Sequence, residues 1–338
     1  MTIRYGFEKN ETGITLTDRY DEAIGNIEVT GEWKGQKVTA IGEALFKGQT
    51  KLTGIVLPET VTELGWWSLR ECTALTEVVL PSHLQTIGYR AFSGCTALRE
   101  IRLPASVTHI GEAAFWGCTA LTRMTLPPEL KVIHNRTFYG CSHLTDLILP
   151  PRLESIEWGA FEYCKGLRSL TVPETVKKIG SNALRECSGL RELNLADGTE
   201  AISENLFGHR NLPPLERGYI PHTDPELWET EAGLILCLCY LTSAENHTPA
   251  EREIYESYIR DHSSEVLTRA VKTAAVAALE GLYAMGLPEE AEYPRYLEMA
   301  NEQKSREAVA SLLEYGHGFR RELSAKQQLY RDFSLDEL

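Results

Sequence analysis

Seven leucines recur every 23 residues along the middle of this 338-residue chain, without one slip in their spacing. They are Leu52, Leu75, Leu98, Leu121, Leu144, Leu167 and Leu190. A fixed period of this size indicates that each repeat is one supersecondary unit that cannot bury its apolar face alone. Stacked neighbours supply the missing core, so the sequence predicts a solenoid and not a closed globule. Solenoids present long binding surfaces, which favours a binding function over catalysis.

Each repeat carries the signature of two short strands. In the repeat that begins at Leu75, apolar residues at the first, fourth and sixth positions suit a strand with alternate side chains in the core. Pro81 then ends the strand, because proline has no N–H to donate to a ladder. A second extended piece ends in Ile87-Gly88, where we expect the glycine to adopt positive φ. The Ala-Phe pair that follows is expected to bury a ring at Phe92, Phe115, Phe138 and Phe161.

The phrase Ile-Gly-x-x-Ala-Phe-x-Gly-Cys, as in residues 87–95, resembles the BspA-like bacterial leucine-rich repeats, also called type-5 repeats. The resemblance covers about residues 38–210. It implies a right-handed parallel β-solenoid that serves adhesion and protein recognition, often on bacterial surfaces. The fold class predicted for the whole chain is α+β by segment, with this β-solenoid followed by an α-helical domain.

Three segments are predicted: an N-terminal β cap at 1–37, the solenoid at 38–212 and an α-helical domain at 213–338. In the first segment, residues 14–17 and 27–30 alternate apolar and polar side chains, and residues 10–13 form a turn signal. Such strands would cover the open edge of the first repeat. Pro213-Pro214 marks the second boundary, after which Ala, Leu, Glu and Arg dominate.

Helix signals follow in the C-terminal segment. Pro225 and Pro249 suit first helical positions, and residues 264–285 show helical periodicity that Gly286 and Pro288 end. Residues 293–300 and 305–315 are predicted to form a helix pair. The phrase at 305–316 is weakly similar to the second helix of an ankyrin-type hairpin, although it lacks the Thr-Pro-Leu-His start.

Six of the eight cysteines occupy one slot of successive repeats: Cys72, Cys95, Cys118, Cys141, Cys164 and Cys187. The spacing of stacked strands does not by itself exclude disulfides between adjacent repeats. The favoured interpretation is a buried ladder of reduced thiols that behave as small hydrophobic groups. Cys237 and Cys239 are interpreted as core residues of an apolar stretch at 233–241. That stretch is either an ordinary buried helix, which we favour, or a seam for homo-oligomerisation through the helical domain.

The charge of −14 argues against nucleic acid as a partner, because an acidic chain without a basic stripe repels phosphate backbones. Residues 213–338 carry a net charge of −11 and residues 1–212 a net charge of −3. No apolar leader or membrane span is visible in the sequence. The expected location is therefore cytoplasmic if Met1 is native, and extracellular or cell-surface otherwise.

Aromatic side chains stand at repeat positions that are not expected core positions. Trp66, Trp67, Tyr89 and Trp158 lie in the turn after the second strand, and Trp116 and Tyr139 directly follow the buried Phe. Trp and Tyr are enriched at interfaces because they bury much area at little conformational cost. These six residues are the candidate interaction surface; the alternative is that they pack over neighbouring repeats. The outer positions of the first strand are mixed in charge and show no evident ligand.

No catalytic constellation is recognisable, and the expected catalytic, cofactor-binding and metal-binding residues are none. The sequence therefore predicts a non-catalytic module that recognises a protein or peptide through its leucine-rich-repeat surface. The alternative is a carbohydrate-binding or adhesion protein whose exposed Trp rings stack on sugars.

Overall fold

The structure is a computed structural model that describes residues 3–19, 21–195, 249–272, 275–289 and 291–319. Shorter described pieces lie at 201–202, 206, 217–219, 237 and 241. The chain divides into two compact units, Met1–Gly208 and His209–Leu338. The predicted segment boundaries at 37/38 and 212/213 stay predictions. Asp224–Glu226 as a helix start, Cys239 and most of the 233–241 stretch lie outside the described residues.

The first unit begins with strands that pair with both strand columns of the solenoid. Strands β1 (Tyr5–Lys9) and β2 (Ile14–Arg19) form an antiparallel hairpin, and β2 pairs in parallel with β5 (Gln36–Ile41). Strand β3 (Gly25–Glu28) pairs in parallel with β6 (Leu52–Val56), and β4 (Glu32–Trp33) folds back onto β5. The side-chain oxygen of Asn10 accepts hydrogen bonds from the N–H groups of Thr12 and Gly13, which forms the predicted turn.

Two columns of short parallel strands make the solenoid, and partners in a column are 23 residues apart. The first column continues from β6 through β8 (Glu77–Val79), β11 (Arg123–Thr125), β13 (Asp146–Ile148), β15 (Ser169–Val172) and β17 (Glu192–Leu195). One repeat contributes only a bridge, Glu100 to Arg123. The second column holds β7 (Glu63–Leu64), β9 (Thr86–Ile87), β10 (His109–Ile110), β12 (Val132–Ile133), β14 (Ser155–Ile156), β16 (Lys178–Ile179) and β18 (Ala201–Ile202). The predicted solenoid of 23-residue repeats is confirmed.

The core of the solenoid is built from stacked equivalent residues. The rings of Phe92, Phe115, Phe138 and Phe161 lie parallel, with neighbouring centroids 5.3–5.6 Å apart. The six repeat cysteines are free and buried beside them. Each thiol donates a hydrogen bond to a backbone carbonyl 26 residues earlier, as Cys118 Sγ does to Phe92 O at 3.1 Å. The thiols therefore satisfy buried acceptors as well as filling space.

The prediction that the glycine of the Ile-Gly pair adopts positive φ is wrong. Gly88 does not have positive φ; a Cβ there would lie 2.7 Å from the carbonyl oxygen of Leu64. Glycine at this slot therefore allows close approach between the backbones of neighbouring repeats. Positive φ occurs instead two residues later, at Arg90 (52°), and six residues later, at Gly94 (77°).

In the second unit Arg217–Tyr219 form a short strand, β19, and the described residues from Pro249 onward are helical, as predicted. It contains α1 (Pro249–Asp261), α2 (Ser263–Lys272), α3 (Val276–Ala284), α4 (Tyr293–Glu302) and α5 (Arg306–Phe319). The periodic stretch at 264–285 is two helices, because Ala275 leaves the helical conformation at φ −78° and ψ 76°. Gly286 has φ 78° and follows the end of α3, as expected. The ankyrin-like similarity of α5 stays a prediction.

Candidate interaction surface

The turn that follows the second strand of each repeat carries all six predicted surface residues, four of them before the buried Phe slot and two directly after it. Each repeat adds the same turn, so equivalent positions stack at about the inter-strand spacing of 4.8 Å. Side chains from successive turns contact one another in a continuous series, which we call the aromatic–arginine ridge. The ridge consists of Trp66, Trp67, Tyr89, Arg90, Trp116, Arg136, Tyr139 and Trp158.

The N-terminal part of the ridge is an aromatic cluster around Tyr89. Its ring lies 5.8 Å from the Trp67 ring and 6.5 Å from the Trp66 ring, both nearly edge to face. This geometry is favourable, because the positive edge of one ring meets the negative face of another. The ammonium group of Lys47 lies 5.7 Å from the centroid of Trp67.

Two arginines join the aromatic residues into one series. The guanidinium of Arg90 lies 5.1 Å from the centroid of Tyr89 and 4.3 Å from that of Trp116. The guanidinium of Arg136 lies 4.0 Å from the centroid of Trp158. Both distances to Trp are within the range of a cation–π interaction. Arg90 and Arg136 occupy the same positive-φ slot two repeats apart, so the turn conformation positions both side chains alike.

The C-terminal part of the ridge centres on Tyr139. Its ring lies 5.4 Å from the Trp116 ring and 5.3 Å from the Tyr163 ring. Partial burial is the largest cause that raises the pKa of Tyr139 above its usual value. Beyond it, Arg185 forms an ion pair of 2.9 Å with the nearly buried carboxylate of Glu162. Desolvation raises the pKa of Glu162, because burial penalises its charged form.

Exposure differs among the predicted surface residues. Trp66 is 58% exposed and Trp158 is 37% exposed, so both present ring surface to solvent. The other four, Trp67, Tyr89, Trp116 and Tyr139, are half-buried. Packing over neighbouring repeats and presentation to solvent are therefore combined in one surface.

Three buried nitrogen atoms of the ridge have no hydrogen-bond acceptor among the described residues: Trp67 Nε1, Arg90 Nε and Arg136 Nε. A buried donor without an acceptor costs about 1–3 kcal/mol. Polar atoms of this kind are rare in folded proteins. All three belong to side chains of the ridge that pack on neighbouring rings.

Arg90 and Arg136 belong to the ridge and Tyr163 contacts it at Tyr139, but none of the three was among the predicted residues. Aligning the repeats at their 23-residue period places Arg90 and Arg136 in one slot, directly after a turn residue that is aromatic or polar. That alignment was the signal in the sequence from which the two arginines could have been predicted. The stacking of guanidinium groups on rings from other repeats is a tertiary contact that no single repeat encodes.

The face of the first strand column differs from the ridge. Val56, Val79 and Ile148 are its exposed apolar residues, and Arg123 pairs with Asp146 at 3.2 Å. Gly54, at an outer position of this strand column, is buried because Asn26 of β3 packs against it. Val56 and Val79 are partners on adjacent strands, but Arg102 and Thr125 separate them from Ile148, so these residues form no series comparable to the ridge.

A further pocket of about 410 Å³ lies among the N-terminal strands and is lined by Tyr5, Ile24 and Trp33, among others. One lining acid, Glu22, pairs with Lys51 at 3.0 Å. None of the predicted surface residues lines this pocket.

Titratable groups approach one another on the second strand column without forming a catalytic arrangement. The rings of His109 and His134 are 5.2 Å apart, and His134 Nδ1 lies 3.2 Å from a carboxylate oxygen of Glu157. Burial, followed by the neighbouring His134, lowers the pKa of His109. Within the described residues, no three His, Cys, Asp or Glu side chains are grouped so that they could hold a metal ion.

None of the helices in that same part of the chain has the length and apolar character to cross a membrane.

Comparison with known proteins agrees with the repeat pattern. The model described as "BspA type Leucine rich repeat region" matches residues 32–141 and 118–216, with six copies. A solved leucine-rich repeat protein of T. pallidum is 28% identical, with a TM-score of 0.52, over 56% of this chain and 87% of that one. A leucine-rich cell surface protein of Faecalibacterium prausnitzii is 27% identical, also with a TM-score of 0.52. The match covers 59% of this chain and about half, 55%, of the Faecalibacterium protein. No curated protein matches significantly.

Proposed function

Since the chain belongs to the BspA-type leucine-rich repeat family, we propose that it is a non-catalytic recognition module that binds a protein or peptide through the aromatic–arginine ridge. Proteins of this family are commonly surface or interaction modules, and their fold is typically a binding scaffold without catalysis. The observation that carries the proposal is the unbroken series of ring and guanidinium contacts along successive repeats. Aromatic and arginine side chains are also the residues that contribute most to protein interfaces.

Carbohydrate binding or adhesion is the second candidate, and the exposed rings of Trp66 and Trp158 favour it. A sugar stacks on a free ring face. The guanidinium of Arg136 already lies over Trp158 at 4.0 Å, and that of Arg90 lies over Trp116 at 4.3 Å. Edge-to-face packing at Tyr89 further divides the aromatic surface into small facets. Such a surface suits the varied side chains of a protein better than the flat face of a sugar ring.

The location of the protein follows as part of the proposal. BspA-like repeat proteins are typically found at the bacterial cell surface, and one similar structure is described as a cell surface protein. This favours the cell-surface alternative over a cytoplasmic location. Homo-oligomerisation through the helical domain stays a separate prediction, because the 233–241 stretch lies mostly outside the described residues.

The proposal is tested by selecting binders of the full chain from a random peptide display library. The ridge variant is Trp66→Ala/Trp158→Ala, and the matched control is Val79→Thr/Ile148→Thr on the strand face. We expect selected peptides to bind the ridge variant at least about tenfold more weakly than the wild type, because exposed aromatic anchors dominate interface energies. Binding to the control should be unchanged.

The same three proteins are applied to a glycan array. Selective glycan binding that the ridge variant loses, without any ridge-dependent peptide, would favour the carbohydrate alternative. Peptides that lose affinity only for the strand-face variant would show that the binding surface has been misplaced.

A further inference from the structure

Arg90 and Arg136 are cations without an anionic partner in the part of the chain that the structure describes. No described side chain or backbone carbonyl accepts a hydrogen bond from either guanidinium, and the Nε atom of each is buried. A guanidinium carries five N–H donors in a planar fork that fits a carboxylate with two parallel bonds. Of these donors only the Nε atoms are buried without an acceptor, and a carboxylate would pair with the other N–H groups of each fork.

Two of the carboxylates near the ridge are already engaged. Glu157 accepts a hydrogen bond from the N–H of Asn135 at 3.0 Å and contacts His134 at 3.2 Å. Glu162 pairs with Arg185 at 2.9 Å, although Arg136 also lowers the pKa of its carboxyl by electrostatic attraction. Neither of these two carboxylates forms an ion pair with Arg90 or Arg136.

The two guanidinium groups are held at a fixed separation. They occupy one slot of the repeat two turns apart, which corresponds to about 10 Å at the inter-strand spacing. Contact with Trp116 and Trp158 orients the two guanidinium groups. The backbone φ values of 52° and 53° direct both side chains away from the turn at the same angle. Pre-orientation of this kind reduces the entropy lost when a ligand binds.

We propose that the ridge recognises an acidic peptide segment of a partner protein, in which two Asp or Glu carboxylates about 10 Å apart pair with Arg90 and Arg136. Apolar residues beside the carboxylates would cover the exposed rings of Trp158 and Trp66. This inference rests on the proposed function and adds the chemistry of the partner. A nucleic acid would also offer anions, but the sequence has no basic stripe to follow a polyphosphate chain, whereas two carboxylates need only two guanidinium groups.

The probes are fluorescein-labelled 12-residue peptides in which two Glu residues, separated by two to six residues, flank a Leu. A matched series carries Gln in place of both Glu residues. Binding to the full chain is measured by fluorescence anisotropy at low and high salt. The variants are Arg90→Gln/Arg136→Gln and a control of equal charge change, Arg99→Gln/Arg168→Gln, whose side chains lie exposed at the start of the first strand column.

We expect the best Glu peptide to bind at least about tenfold more tightly than its Gln counterpart at low salt, since charge-assisted bonds are about twice as strong as neutral ones. High salt should reduce this preference because it screens the ion pairs. Arg90→Gln/Arg136→Gln should abolish the preference, whereas Arg99→Gln/Arg168→Gln should keep it.

Equal binding of the Glu and Gln series, or a preference that survives Arg90→Gln/Arg136→Gln, would overturn the inference. That result is distinct from failure of the proposed function. If library-selected peptides need Trp66 and Trp158 but neither arginine, the ridge still binds peptides and only the acidic chemistry is wrong. If no peptide depends on Trp66 and Trp158, the proposed function is wrong, and the inference fails with it.

Discussion

At the scale of single residues, the turn that follows the second strand of each repeat requires positive φ at some positions and close backbone approach at another. The sequence shows these two requirements only in part. Positive φ recurs at two slots of every complete repeat, and one of them is filled by Trp67, Arg90, Ala113, Arg136 and Asn182 as readily as by glycine. The repeated Ile-Gly pair was visible in the sequence, but its cause was not. A pattern of glycines does not reveal whether φ or close backbone approach requires them, because only the packed repeats distinguish the two.

Positive φ and close backbone approach predict different losses of stability for a Gly→Ala substitution. At Gly117, with φ 70° and nothing within 4 Å of an added Cβ, Gly→Ala should lower the free energy of unfolding by about 1–2 kcal/mol, the cost of a left-handed residue. At Gly88 the added Cβ meets backbone at 2.7 Å, so Gly→Ala should cost about 3 kcal/mol by forcing neighbouring repeats apart. Urea unfolding measures both variants. A larger loss at Gly117 would contradict this assignment.

The cysteine ladder gives the stability a pH dependence with a definite sign. Burial raises the pKa of Cys118 to about 12 from an ordinary value of 9.0. The unfolded chain therefore releases thiol protons above pH 9 that the folded chain retains. Stability that is fully present below pH 9 should be lost as the pH rises towards 12, by about 1.4 kcal/mol per pH unit for each such thiol.

Urea unfolding under reducing conditions, at about pH 8 and about pH 10, tests this dependence against Cys118→Ala. The variant should be less stable at the lower pH because it loses a hydrogen bond to the Phe92 carbonyl. Its stability should decline less steeply with pH, since one buried thiol is missing. Identical slopes for wild type and variant would show that the buried thiol does not carry the effect.

At the scale of elements, repetition made the architecture predictable. The alternation of apolar positions placed the strands, and the proline that closes each first strand set their length. The phenylalanine stack followed from the recurrence of Ala-Phe, and Leu69 and Leu184 occupy the same buried slot in repeats without Phe. The helical unit was less predictable in detail, because the break at Ala275 carries no glycine or proline to mark it.

The Phe slot should tolerate leucine but not alanine. Phe115 stacks between Phe92 and Phe138 at 5.3 and 5.6 Å and is fully buried. Phe115→Ala should lower the free energy of unfolding by about 3–5 kcal/mol, because it leaves a cavity in the stack. Phe115→Leu should cost only about 1 kcal/mol, since leucine fills the equivalent space in other repeats. Chemical unfolding of the two variants measures the difference, and equal losses would contradict the slot's tolerance.

At the scale of the whole molecule, the solenoid depends on its N-terminal strands because both strand columns begin with an edge. Strand β2 covers β5 and β3 covers β6, and Ile14 and Leu16 are fully buried there. Uncovered edges of this kind pair with other chains. The six predicted surface residues could be identified from the sequence as aromatic residues outside the core. The contacts with Arg90 and Arg136 that join them into one surface form only when the repeats stack.

Removing residues 1–30 should therefore expose the edges of β5 and β6 and convert the protein into oligomers or aggregates. Light scattering after size-exclusion chromatography measures the change. The control is Ile24→Thr, which alters one residue that is 57% exposed and should leave the oligomeric state of the full chain unchanged. A truncated chain with an unaltered oligomeric state and thermal midpoint would contradict a capping role.

The most direct test of the account is hydroxyl-radical footprinting of the full chain with and without a saturating selected peptide. If the ridge is the binding surface, oxidation of Trp66 and Trp158 should fall severalfold when the peptide is bound. Oxidation of Val79 and Ile148, exposed on the strand face, should stay the same. Protection of Val79 and Ile148 with undiminished oxidation of Trp66 and Trp158 would contradict the central claim that recognition takes place on the ridge.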